Sequence, residues 1–320
     1  MGTVDVLCLG ESMALFVPAE DGPPDKVATW TRTVGGAESN VACQLAARGV
    51  PTAWVSAVGD DAFGRAVVST VASYGVDTSG VLVDPVRPTG LYVKESDASG
   101  SPVRYYRSGS AASAMAPSMV DTLPLYQVDL VHVSGITAAL SDSCLALLRA
   151  LIMQAHPYLL SFDLNWRPKL WADRDPAVLR ELADASDIVL VGADEAEAVW
   201  GVGTPEAIRE YLPAPPTLVV KHGEHGVTLL EGEAPPLFQP ALRVDVVEPV
   251  GAGDAFAAGF LAATLAGESP RTRLRAGHLQ AASALRTHHD VGDPLPAELV
   301  AELLDADDDT WAAAHIRGVS

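Results

Sequence analysis

The chain has 320 residues, with 21 Lys and Arg against 41 Asp and Glu, for a formal net charge of −20. That balance repels nucleic acid and anionic membrane surfaces, and it makes a cation at an anion site conspicuous. A hydrophobic fraction of 48% with 6% aromatics means a core of Ala, Val and Leu, which suits stacked helices and buried parallel strands in one large α/β unit.

Val4–Leu9 reads as a buried strand. Met13–Pro18 and Thr29–Thr33 follow as strands with no helix between them. Ala37–Arg48 reads as a helix stopped by Gly49, Thr52–Val58 as a strand, and Ala62–Tyr74 as a helix stopped by Gly75. Gly90–Glu95 and Val103–Tyr106 form a hairpin across the turn-like Ser96–Pro102. Strand–helix alternation then resumes: a strand at Asp129–Val133, a helix at Ser141–Ala155 with Ser141 as N-cap, and strands at Tyr158–Phe162, Ile188–Val191 and Thr217–Lys221. Helices near 176–184 and 193–200 separate these last three strands. The pattern predicts an α/β fold with a mostly parallel central sheet, helices on both faces, and ligand loops at one edge. The strands that break the rhythm predict a small β lid over that edge. The core is then 1–12, 34–88 and 108–310, and the lid 13–33 and 89–107.

Cys8, Cys43 and Cys144 are odd in number and far apart, so the expectation is a reducing compartment and no disulfide framework. No Lys or Arg precedes Lys26, and no apolar run reaches the roughly 18 residues of a membrane span. A cytoplasmic protein is expected, without nucleic-acid or membrane partners.

The strongest local signal is Val250–Gly251–Ala252–Gly253–Asp254–Ala255–Phe256–Ala257–Ala258–Gly259–Phe260. Two glycines let backbone approach a ligand, and a helix of small apolar residues follows. The amides of Gly251, Ala252 and Gly253 open that helix and attract developing phosphoryl charge. Asp254, in the first helical turn, is placed to take a proton from an attacking hydroxyl. There is no P-loop, no zinc motif, no nucleophile elbow of the Gly-x-Ser-x-Gly type, and no Gly-x-Gly-x-x-Gly after the first strand.

From Gly10 to about Pro296 the chain resembles the ribokinase-like (PfkB) carbohydrate kinases. Gly35–Gly36–Ala37–Glu38–Ser39–Asn40–Val41–Ala42 matches the family's early signature, which implies substrate contacts from Gly35, Gly36 and Asn40. Within the family, three blocks are most similar to the 2-keto-3-deoxygluconate kinases: Gly90–Leu91–Tyr92, Tyr105–Tyr106–Arg107–Ser108–Gly109–Ser110–Ala111, and Asp163–Leu164–Asn165–Trp166–Arg167–Pro168–Lys169–Leu170–Trp171. The resemblance implies that Tyr92, Tyr105, Arg107 and Arg167 line a sugar-acid site. Tyr105 and Arg107 share one strand face, and the planar fork of Arg107 suits a carboxylate. Arg167 can serve either the substrate or the transferring phosphate, and is assigned to substrate.

Asn165 is implied near the nucleotide phosphates. The Lys-x-Gly-x-x-Gly pattern brings Lys221, Gly223 and Gly226 to the nucleotide. The magnesium-associated Asn-x-x-Glu is half present: Glu195 matches, and Gly192 stands where Asn is usual. Glu248–Pro249–Val250 replaces an Asp–Thr–Thr common in the family. His222 and His225 read as surface-loop residues, and His288–His289 as neighbours of an adenine pocket or as unremarkable.

The resemblance therefore implies an ATP- and Mg2+-dependent kinase for the primary hydroxyl of a sugar acid, acting as a homodimer through the lid. The alternatives are a kinase for a neutral sugar such as fructose or ribose, one for another keto-deoxy acid, or a non-catalytic sugar-binding relative. Retention of Asp254 speaks against the last, since binding alone needs no base.

Overall fold

The computed structural model describes residues 4–20, 22–94, 103–152, 156–287 and 291–318. The Ser96–Pro102 turn and the His288–His289 pair lie outside the described residues. From the N-terminus the elements are β1 (Val6–Leu9), β2 (Met13–Pro18), β3 (Trp30–Gly35), α1 (Ala37–Ala47), β4 (Thr52–Val55), β5 (Ala57–Gly59), α2 (Ala62–Ser73), β6 (Leu82–Asp84), β7 (Leu91–Lys94) and β8 (Val103–Tyr106). Next come β9 (Leu130–Ser134), α3 (Gly135–Leu140), α4 (Asp142–Ile152), β10 (Leu159–Asp163), α5 (Pro168–Trp171), α6 (Ala177–Asp184), β11 (Ile188–Gly192), α7 (Ala193–Trp200), α8 (Pro205–Tyr211) and β12 (Thr217–Lys221). The C-terminal part holds β13 (Gly226–Glu231), β14 (Leu237–Pro240), β15 (Arg243–Val244), α9 (Ala252–Leu265), α10 (Pro270–Leu285), α11 (Ala297–Asp305), α12 (Asp308–Ala313) and β16 (His315–Ile316).

The main sheet has eight strands in the order β14-β13-β12-β11-β10-β9-β1-β4. The six strands from β12 to β4 run parallel, and β13 and β14 extend the edge antiparallel. Side chains alternate across β1. Leu7 and Leu9 join one core, with Leu147 and Leu148 of α4 and Leu179 of α6. Val6 and Cys8 join the other, with Val41 of α1, Val67 of α2 and Phe260 of α9. A strand buried on both faces explains why the sequence shows continuous apolar runs there rather than alternation. Ser141 caps α4 as expected, its Oγ accepting from the Cys144 amide at 3.0 Å. The three cysteines are buried and free. No helix among the described residues is long and apolar enough to cross a membrane.

The expected strand Thr52–Val58 is two strands. β4 pairs with β1, whereas β5 leaves the main sheet and pairs with β6. Ser56 marks the exit: its carbonyl accepts from the Leu82 amide at 2.9 Å.

A second, four-stranded sheet has the order β3-β2-β7-β8, with β2–β3 and β7–β8 antiparallel and β2–β7 parallel. The β7–β8 register sets Tyr92 opposite Tyr105. This mixed sheet is built from the strands that broke the helix–strand rhythm.

Two buried histidines tie the core to pH. His132 on β9 sits with Nδ1 3.0 Å from Ser161 Oγ, and burial pulls its pKa down to about 4. His278 on α10 donates from Nε2 to the Gln239 carbonyl at 3.1 Å, and burial likewise takes it to about 4. Both are neutral in the folded protein at a pH where the unfolded chain already binds protons. Their stabilisation is therefore full above about pH 6.5 and lost as pH falls toward 4. The unfolding midpoint is expected to drop through that window, and less so in His132→Asn. An identical pH slope in the variant would contradict this assignment.

Candidate active site

The loops leaving β1, β9, β10, β11 and β12 meet at the C-terminal edge of the parallel strands, where open α/β sheets bind ligands. The starts of α1 and α9 face them. Together with the small sheet they enclose a cleft of about 380 Å³. Its lining includes Gly35, Gly36, Asn40, Tyr92, Tyr105, Arg107, Asn165, Arg167, Glu195, Lys221, Gly251, Gly253 and Asp254. Residues spread over more than 200 positions of sequence thus converge on one cavity.

At the wall formed by α9, Gly251 is the N-cap at φ 82°, a left-handed conformation that favours glycine. The first amides of α9 have no intrahelical acceptor, so the helix start offers donors and a positive dipole end to an anion. Asp254 lies in this turn, and its Oδ2 accepts from Asn40 Nδ2 at 2.9 Å. Asn40 belongs to the first turns of α1, whose start is pinned where Gly36 meets the Glu11–Ser12 backbone. A Cβ on Gly36 would stand 2.3 Å from the Glu11 carbonyl oxygen. Asn40, read from sequence as a substrate contact, thus also holds the Asp254 carboxylate in place.

Across the cleft, Arg107 follows β8 and forms a buried ion pair with Glu11. Glu11 Oε1 also accepts from Ser110 Oγ at 2.6 Å. The Arg107 guanidinium lies 5.6 Å from the Tyr105 ring centroid, and Tyr105 stacks on Tyr92 at 5.5 Å. Arg107 Nε is buried with no hydrogen-bond partner among the described residues. Such a donor is costly to leave unmade, and because Arg107 lines the cleft a ligand oxygen there would satisfy it. Glu11 carries little sequence signal, being simply a charged residue that follows Gly10 just after β1.

Lys221 ends β12, and its Nζ donates to Asp163 Oδ1 at 3.2 Å and Oδ2 at 3.0 Å. Burial works to lower the Lys221 pKa, but Asp163, and after it Glu195, outweigh burial and hold it above the ordinary lysine value. The ammonium therefore stays charged beside the start of α9; a Cβ on Gly253 would lie 3.9 Å from Lys221 Nζ. Asn165 adopts φ 42°, which Asn tolerates better than most residues, and its amide donates to Asp163 Oδ1 at 3.2 Å. Its own Oδ1 is buried with no hydrogen-bond partner among the described residues.

Glu195 accepts from the Trp166 amide at 2.9 Å and from the Gly192 amide at 2.9 Å. Burial raises its pKa, against the pull of Lys221. Arg167 reaches Glu195 at 4.0 Å and is half-exposed. Both Glu195 oxygens and both Asp163 oxygens are thus engaged, and no group of three or more His, Cys, Asp or Glu among the described residues converges on a metal position. This donor set fits a magnesium ion held chiefly by phosphate oxygens and water, with Glu195 at its outer side.

A second cavity of about 810 Å³ shares Lys221, Pro249 and Gly253 with the cleft. Val244, Val246, Phe256, Ala282 and Leu285 give it apolar walls, and Gly223 and Ala252 also line it. An apolar slot joined to a charged cleft fits a nucleobase with its phosphates directed at Lys221 and the start of α9. Gly226 lies in neither cavity. It opens β13 at φ 140°, where a Cβ would meet the Gln239 carbonyl at 2.4 Å, so its role in the structure is to let β13 approach β14.

The pfkB family carbohydrate kinase model matches residues 4–298. The 2-dehydro-3-deoxygluconokinase of Thermoproteus tenax is 36% identical over 279 residues, covering 85% of each chain. That of Bacillus subtilis is 35% identical over 313 residues, covering 95% of this chain and 96% of its own. A solved structure of a putative ribokinase II from Escherichia coli, in complex with ATP and Mg2+, superposes with a TM-score of 0.82 at 23% identity, over 90% of this chain and 94% of that one.

Proposed function

The chain belongs to the pfkB family of carbohydrate kinases, and from that premise we propose that it transfers the γ-phosphoryl group of ATP to the primary hydroxyl of 2-keto-3-deoxygluconate. The observation that carries the reading is that Asp254 and Arg107 stand on the walls of one cleft. A sugar acid spans the two. Its carboxylate meets the Arg107 fork and its terminal hydroxyl meets Asp254. The relatives named for this substrate support the choice.

In this mechanism Asp254, fixed by Asn40, takes the hydroxyl proton as the oxygen attacks the γ-phosphorus in line. The amides of Gly251, Ala252 and Gly253 and the Lys221 ammonium offset charge that develops on the phosphoryl oxygens. Glu195 would help hold a magnesium ion that arrives with ATP, and the ion would supply neutralisation of phosphate charge. Gly35 and Gly36 leave room for the sugar, Tyr92 and Tyr105 cover it, and Arg167 closes the carboxylate end. The small sheet acts as the lid that excludes water, the competing acceptor.

A coupled ADP-release screen over sugars and sugar acids tests this. 2-Keto-3-deoxygluconate is expected to give the highest kcat/KM, with neutral hexoses lower by roughly 10-fold or more, the scale of one charge-assisted contact. A preference for fructose or ribose would overturn the substrate assignment. Absence of ADP release with every acceptor tested would support a binding protein instead.

A further inference from the structure

Beyond Arg107 and Arg167 the cleft opens into a groove of about 1080 Å³ between β8 and the segment carrying α5. Arg104, Arg107, Arg167, Lys169 and Arg174 line it and, among the described residues, two carboxylates do so, Asp142 and Asp173. Five of the 21 Lys and Arg of a chain with net charge −20 thus face one depression. Arg174 is held by Asp142 at 3.1 Å, whereas Lys169 is exposed and makes no ion pair among the described residues. The groove shares Val103, Tyr105, Arg107 and Arg167 with the active-site cleft, so an anion drawn into it arrives at the proposed carboxylate end of the site.

We propose that this groove is an entry site for anionic substrate, in which Lys169 and Arg104 attract the carboxylate of a sugar acid and pass it to Arg167 and Arg107. The inference rests on the sugar-acid reading above, because a neutral sugar gains nothing from such a field. On a strongly acidic surface, a cationic groove also counters the general repulsion of anions. A cleft lined by one sign of charge focuses its field and raises capture by 10-fold or more. Exposed charges of this kind lose their reach as salt shortens the screening length.

The test compares wild type with Lys169→Glu/Arg104→Glu, using the sugar acid that wild type turns over fastest, from about 0.01 M to about 1 M salt. Wild-type kcat/KM is expected to fall as salt rises. The variant is expected to start roughly 10-fold lower and to converge on wild type at high salt. Its kcat, its KM for ATP and its turnover of any neutral sugar are expected to stay within about twofold of wild type. Unchanged kcat/KM and salt slope would overturn the proposal, as would an equal loss with a neutral sugar. If charge reversal prevents folding, Lys169→Gln/Arg104→Gln gives the same comparison with a smaller expected shift. A wild type that turns over no sugar acid sinks the substrate reading first. A wild type that does so, beside a variant of unchanged salt slope, sinks this inference alone.

Discussion

Asp254→Asn is expected to lower kcat by about 10²-fold or more, on the usual scale of a lost general base, with the fold kept. Asn is nearly isosteric, and its amide oxygen still accepts from Asn40 Nδ2, so the link between α9 and α1 survives. What disappears is the capacity to take a proton. The donors at the start of α9 and the Lys221 ammonium remain, so ATP is expected to bind as before. Circular dichroism and the unfolding midpoint check the fold, and steady-state kinetics check the loss. Near-normal turnover would mean that another group removes the proton.

Arg107→Ala is expected to cut kcat/KM for the sugar acid by roughly 10- to 100-fold, the equivalent of losing hydrogen bonds to a charged group. A neutral sugar is expected to lose far less. The substitution also strands Glu11, a carboxylate buried against Arg107 and Ser110. A buried charge left without its partner costs about 3–5 kcal/mol of stability. The double variant Arg107→Ala/Glu11→Gln removes that strain, since a Gln amide accepts from Ser110 without a charge. It is expected to recover stability and keep the specificity loss. Arg107→Lys keeps the charge but loses the planar fork, and is expected to fall between the two. Equal losses with acid and neutral substrates in every variant would show that Arg107 does not read the carboxylate.

The parallel strands were legible because burial on both faces forces continuous apolar runs, as in Val6–Leu9 and Thr217–Lys221. The small sheet was legible as the place where strand pairs lacked helices. The split at Ser56 was not, because one run of apolar residues serves two different sheets and only the partner at Leu82 distinguishes them. Nor was the antiparallel edge formed by β13 and β14, which depends on pairing rather than composition. Within the cleft, the glycine turns announced themselves through local chemistry. Glu11 did not, because its partner Arg107 lies far along the chain and only folding brings them together; Asp163 was legible as the start of a ligand-edge block, but its pairing with Lys221 was not. Lys221 and Gly223 of the second cavity were marked by the Lys-x-Gly-x-x-Gly pattern, but its apolar walls beside Phe256 carry no sequence signal, since residues able to hold a flat base look the same as residues that fill a core. Gly226 matched a nucleotide pattern, yet its backbone serves the β13–β14 contact.

Single-turnover transfer of labelled γ-phosphate to a bound sugar acid, with both ligands saturating, bears most directly on whether the carboxylate at the start of α9 performs the chemistry. Wild type is predicted to transfer the label rapidly, and Asp254→Asn to bind both ligands with near-normal affinity while transferring at least about 10²-fold more slowly. Transfer at the wild-type rate in the variant, or a loss confined to binding, would contradict the account.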